Sequence, residues 1–162
     1  MNRNNKQNEA PLNVVVIDGR NVAYDSGVTS FNDTRLLCCV RYFHSHSYEM
    51  EIHTIIPLWG ITDENLEKLY ELSHVHKVGD LHRDKERDDK HVIGTTIIEN
   101  GFYVSLDKNM HKHIKNNLID KSWCKERRIG FKFIGEQFKP IFPNLWGMMI
   151  ENQSSAKKEV IV

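Results

Sequence analysis

The stretch Asn13–Asn21, NVVVIDGRN, decides the architecture. Asn13–Ile17 is an unbroken β-branched run, the pattern of a strand buried on both faces. Asp18 follows directly and so falls at the carboxyl end of that strand. Gly19 allows a tight turn or a close backbone approach. Asn21 can hold a carboxylate or a phosphate through its amide, or it can simply start a turn.

Working outward, the hydrophobic period alternates between strand and helix. Thr34–Ser47 carries Leu36, Leu37, Val40, Tyr42 and Phe43 at helical spacing, with Asn32 or Asp33 as N-cap. Glu51–Leu58 reads as a second strand whose hydrogen-bonded part Pro57 ends. Thr62–Ser73 is a helix capped by Thr62, and His74–Val78 a short strand. His91–Asn100 is β-branched enough for a strand. The Asn100-Gly101 ending and the strand-like FYVS that follows favour a helix with a glycine C′ residue. Phe102–Ser105 is then a strand, Lys108–Leu118 a helix and Gly130–Ile134 the last strand. This β-α alternation predicts a parallel sheet of about five strands with helices on both faces. Residues 1–11 read as a flexible N-terminal segment, 12–150 as one domain and 151–162 as a flexible C-terminal tail.

In open α/β sheets ligands sit beyond the carboxyl ends of the strands. Asp18 ends the first strand, Asp107 follows FYVSL, and Asp88-Asp89 open the helix before that strand. Helix N-termini share an edge with strand carboxyl ends, so Asp18, Asp88, Asp89 and Asp107 are expected to converge. Any one of them alone is more often a cap or turn former. Together they would raise one another's pKa values unless a hard cation neutralised them. Mg²⁺ takes a few carboxylates, keeps several waters and accepts phosphate oxygens. Mn²⁺ is an alternative occupant. The chemistry this implies is phosphodiester hydrolysis.

Composition limits the partners. Lys+Arg and Asp+Glu both number 22, so nothing would bind nucleic acid through bulk basicity. Cys38, Cys39 and Cys124 form neither a disulfide framework nor a zinc spacing. No apolar run approaches the roughly 20 residues that span a bilayer. The opening MNRNNKQNEAPLN lacks the apolar core of a secretory leader. The expected location is the cytoplasm, with the nucleus as an alternative.

VVVIDGRNVAYDSG resembles the opening motif of the NYN-domain, PIN-like endoribonucleases of the Regnase class. RDDKHVIGTTIIENGFYVSLDKN resembles the same class's Asp-Asp, apolar helix and strand ending in Ser-x-Asp. HTIIPLW and IGFKFIGEQFKPIFPN are similar to its second strand and closing segment. The likeness runs from about Leu12 to about Asn144. It implies a PIN-like Rossmannoid fold and a Mg²⁺-dependent endonuclease of mRNA-decay type, acting on single-stranded or stem-loop RNA. Position by position, Asp18 would be the first metal ligand with Asn21 as its support. Asp88, Asp89 and Asp107 would complete the catalytic and metal-binding set. Class members often carry a further Asp where this chain has His111, a departure that bears on a second metal and on full activity. Many class members carry a zinc finger of three Cys and one His after the nuclease domain, and no such spacing occurs in this sequence. RNA affinity is then expected to be weak, or supplied by a partner, whether another protein or a second copy of the chain.

Basic residues gather around the expected acidic edge despite the zero net charge. Arg20, Arg83, Lys85, Arg87, Lys90, Lys108 and Lys112, with His111, are the candidates for RNA binding. The loop among them reads equally as a solvated charged surface. Arg127-Arg128 could extend the groove, and Trp59 could stack a base or serve the core. His44-x-His46 and His111-x-His113 read as surface histidines. The rival function is a catalytically weak or inactive NYN domain that binds RNA or acts as a scaffold. A receiver domain would carry its paired acids at the first strand. A dinucleotide-binding domain would need Gly-x-Gly-x-x-Gly there.

Overall fold

The structure is a computed structural model that describes residues 10–24, 30–46, 49–78, 85–113 and 119–160, without the side chains of 85–87, 113 and 155–160. Its centre is a six-stranded sheet in the order β3-β2-β1-β4-β5-β6. The strands are β1 (Val14–Asp18), β2 (Glu51–Ile56), β3 (His74–Lys77), β4 (Phe102–Val104), β5 (Arg128–Ile134) and β6 (Gln137–Ile141). The first five run parallel, and β6 returns antiparallel to β5. The expected α/β architecture, a largely parallel sheet with helices on both faces, is therefore present.

Among the described residues seven helices accompany the strands: α1 (Gly19–Ala23), α2 (Asp33–Ser45), α3 (Asp63–Leu72), α4 (Lys85–Glu99), α5 (Met110–His113), α6 (Lys121–Arg127) and α7 (Asn144–Val160). All five residues of β1 are buried. Side chains alternate across a strand, so Val15 and Ile17 enter one core and Val16 the other. The first core is filled from α2 by Leu36, Leu37, Val40 and Phe43, and from α7 by Trp146 and Met149. The second joins Val92 and Ile93 of α4 to Tyr103, Met110, Trp123 and Cys124.

Local signals end the elements where the sequence suggests. Asn32 is the α2 N-cap, its side chain accepting from Thr34 N at 3.1 Å. Asp33 instead ties α2 to α3, accepting from Thr62 N at 2.8 Å and Asn65 Nδ2 at 3.0 Å. Strand β2 stops before Pro57. At the end of α4, Asn100 takes the left-handed conformation expected of Gly101, with φ 52°. Gly101 is required for another reason: a Cβ there would run into the Val14 carbonyl.

Several elements depart from the sequence reading. Strand β6 contains Pro140, which is tolerated because β6 is an edge strand. Gly135, at φ 60°, makes the hairpin that returns it to β5. Helix α6 is capped by Asp120, which accepts from Trp123 N at 2.8 Å. The expected helix Lys108–Leu118 is described only as α5, since 114–118 lie outside the described residues. Helix α7 passes through residue 150, its helical backbone continuing to Val160. No described helix is long and apolar enough to cross a membrane.

The chain winds from β1 out to β2 and β3, then crosses back through α4 to β4 on the other side of β1. The order therefore reverses between β1 and β4. A doubly wound sheet opens a crevice at such a point, at the strands' carboxyl ends.

Candidate functional site

Asp18 closes β1 at that crevice and begins α1 as its N-cap. Its Oδ1 accepts from Asn21 N at 3.3 Å and its Oδ2 from the Ser105 hydroxyl at 3.2 Å. The residue is only 4% exposed. Burial, together with the carboxylates of Asp89 and Asp88, pushes its pKa up to about 7 against the hydrogen bonds from Asn21 and Ser105. Gly19 is needed beside it, because any Cβ would meet the Ile55 carbonyl of β2. The Asn21 side-chain oxygen accepts from Leu106 N at 2.8 Å, which pins α1 to the end of β4. Its NH₂ end is then the donor it offers to the crevice.

Asp88 and Asp89 stand in the first turns of α4, which begins at Lys85, and both are buried. Arg20 Nη1 lies 3.5 Å from Asp88 Oδ2. Asp18, Asp88 and Asp89 thus share one cavity of about 340 Å³, lined also by Arg20, Asn21 and Tyr24. Helix α4 runs opposite to the strands, so its N-terminus delivers both acids to the edge that β1 ends on.

Asp107 is placed differently. It is half-buried and is not among the residues lining the cavity. Its backbone N–H donates to Ser105 Oγ at 3.1 Å, and its Oδ1 accepts from Asn109 N at 2.8 Å. Of the four acids expected to converge, three meet in the cavity, and the fourth connects to them through Ser105.

Among the basic candidates, Arg20 lines the cavity. Lys90, Lys108 and Lys112 are exposed and His111 half-buried, all outside the cavity wall. Arg83 and the side chains of Lys85 and Arg87 lie outside the described residues. Arg127 does not extend the groove. It is buried and donates to Asn100 Oδ1 at 3.0 Å and to the Gly101 carbonyl at 3.1 Å, before β4 begins. Trp59 packs edge-on to Tyr24 and Phe31, with the Arg20 guanidinium 5.6 Å over its ring.

Two residues of the site escaped the sequence reading: Tyr24 in the cavity wall and Ser105, which donates to Asp18. Ser105 was visible only as the first letter of the Ser-x-Asp ending. Tyr24 lies five residues past the motif's Asp18-Gly19 pair, with no feature of its own to mark it. The donor set of the cavity suits a hard divalent cation: three clustered carboxylates, no sulfur, and a buried acid whose charge needs an offset.

The chain belongs to the family of the Zc3h12a-like ribonuclease NYN domain, which matches residues 11–144. Among solved structures it is similar to nuclear proteinaceous RNase P 2 (PRORP2) from A. thaliana. That likeness has a TM-score of 0.61 at 14% identity and covers 80% of this chain. The chain spans only 29% of the PRORP2 chain, and at this identity the likeness concerns the fold. No curated protein matches the chain.

Proposed function

We propose that the protein is a Mg²⁺-dependent endoribonuclease of the Regnase class, hydrolysing phosphodiester bonds of single-stranded or stem-loop RNA. One observation carries this reading: buried Asp18, Asp88 and Asp89 share a single cavity at the β1/β4 switch point in a ribonuclease-family domain. Asp18, Asp88 and Asp89 would hold the cation, with Asp107 backing them from the end of β4. When bound, Mg²⁺ or Mn²⁺ would supply neutralisation of charge on the phosphate oxygens and activation of the attacking water.

The chain's own groups do the rest. Arg20, at the cavity wall, attracts the scissile phosphate. The Asn21 NH₂ donates to a phosphate oxygen and fixes its orientation. The Ser105 hydroxyl and the α1 backbone hold the Asp18 carboxylate in one rotamer. Water adds to phosphorus, the P–O3′ bond breaks, and the products carry a 5′-phosphate and a 3′-hydroxyl. Analysis of product ends tests this directly. 5′-Phosphate and 3′-hydroxyl ends are expected, and a 2′,3′-cyclic phosphate would contradict the reaction.

A further inference from the structure

A second group of ligating side chains lies at the opposite edge of the sheet. Glu51 opens β2, His53 follows two residues later on the same face, and Glu99 is the last residue of α4. One ligand atom from each of the three lies within 4.8 Å of the others. Helix α4 carries Asp88 and Asp89 at its start and Glu99 at its end, so the two groups stand a helix length apart.

His53 singles this group out from an ordinary surface acidic pair. It is only 6% exposed, and its Nε2 is buried without a hydrogen-bond partner. That nitrogen faces Glu51 Oε1 at 3.4 Å. Two ligands at about 2.1 Å in a tetrahedral zinc site are separated by about 3.4 Å. The other ring nitrogen, Nδ1, lies 2.9 Å from His76 Nε2. A hydrogen bond between two ring nitrogens needs one donor. When His53 Nδ1 donates to His76, Nε2 turns a lone pair toward Glu51 Oε1. Lone pair facing carboxylate is repulsive unless a cation lies between them. A metal-ligating histidine typically donates its second N–H to an acceptor in this way.

We propose that Glu51, His53 and Glu99 bind a zinc-class divalent cation, one per chain, separate from the acidic cavity. The imidazole ligand favours Zn²⁺ over Mg²⁺, which prefers oxygen alone. Glu99 adds the negative end of the α4 dipole. His74, whose Nε2 is 3.7 Å from Glu51 Oε1 and whose ring stacks on His53 at 4.9 Å, is the nearest further donor for an open position. The ion would clip the start of β2 to the end of α4, and so brace the helix that positions Asp88 and Asp89. This site stands independently of the proposed nuclease activity.

The test is calorimetric titration of Zn²⁺ into the full chain in excess Mg²⁺, with a thermal melt beside it. One equivalent of Zn²⁺ at about micromolar affinity or tighter is expected, with a melting temperature that rises with Zn²⁺ concentration. His53→Gln and Glu99→Gln should each weaken binding about tenfold or more, whereas Asp89→Asn should leave it unchanged. Glu99 is half-buried at a helix end, so its variant tests the site even where loss of buried His53 disturbs folding. Binding unchanged in Glu99→Gln, binding lost in Asp89→Asn, or no binding by the unaltered chain would each overturn the proposal.

Discussion

The Ser105 hydroxyl, at the end of β4, donates to Asp18 Oδ2 at the end of β1 across 3.2 Å, and the same oxygen accepts the backbone N–H of Asp107 at 3.1 Å. One fully buried side chain therefore connects the two strand-end acids and sets the Asp18 rotamer. A partner of this kind orients a carboxylate that would hold a metal.

Ser105→Ala removes that connection without removing any acid. Mg²⁺-dependent cleavage is expected to fall about 10–100-fold. Stability should fall by about 1–3 kcal/mol, because the buried Asp18 oxygen and the part-buried Asp107 N–H lose their partner. Steady-state kinetics and a urea titration measure the two effects. Unchanged turnover would remove Ser105 from the site.

The raised Asp18 pKa gives a stability profile with a definite sign. In the metal-free protein this acid stays protonated until about pH 7, whereas in the unfolded chain it ionises near 3.8. Between those values the folded state binds more protons, so stability is greatest below the lower pKa and falls as pH rises through the upper one. Asp18→Asn can still cap α1 and meet Ser105, but it carries no charge. Without divalent metal, this variant is expected to melt higher than the parent at pH 8 and to lose the slope between pH 4 and 7, as followed by thermal melts across that range. Its cleavage should be abolished.

Arg20 stands at the cavity wall, 3.5 Å from Asp88 and over the face of Trp59. Arg20→Ala is expected to weaken RNA binding for all sequences alike and to reduce the slope of log affinity against log salt by about 1. Fluorescence anisotropy across a salt series measures it. An unchanged slope would mean that Arg20 meets no phosphate.

Two glycines separate close approach from helix propensity. Gly101→Ala forces a Cβ into the Val14 backbone and should cost about 1–3 kcal/mol or more. Gly94, inside α4, has nothing within 4 Å of a built Cβ, so Gly94→Ala should stabilise by about 0.5–1 kcal/mol. Opposite shifts in melting temperature are the expected result.

The parts of this fold that were legible in the sequence are those governed by local patterns. NVVVI has the pattern of a two-sided strand, and the Asn100-Gly101 ending together with an unbroken β-α alternation favoured a helix over His91–Asn100. The convergence of Asp18, Asp88 and Asp89 followed from the parallel topology alone. The edge strand β6 was hidden, because Pro140 argues against a strand unless its place at the sheet edge is known. The turn of Asp107 toward Asn109 and the burial of Arg127 against Asn100 depend on side-chain rotamers that no spacing encodes. The grouping of Glu51, His53 and Glu99 depends on the β2 to α4 packing, which brings together residues 46 to 48 positions apart.

The central claim is that the acidic cavity cuts RNA with a divalent cation. The most direct measurement is cleavage of a fluorescent RNA hairpin by the purified protein in Mg²⁺ and then in EDTA, beside Asp89→Asn. The account predicts cleavage that needs both the metal and Asp89. Cleavage that persists in EDTA or in the variant would contradict it, as would RNA that is bound and never cut, the behaviour of a scaffold domain.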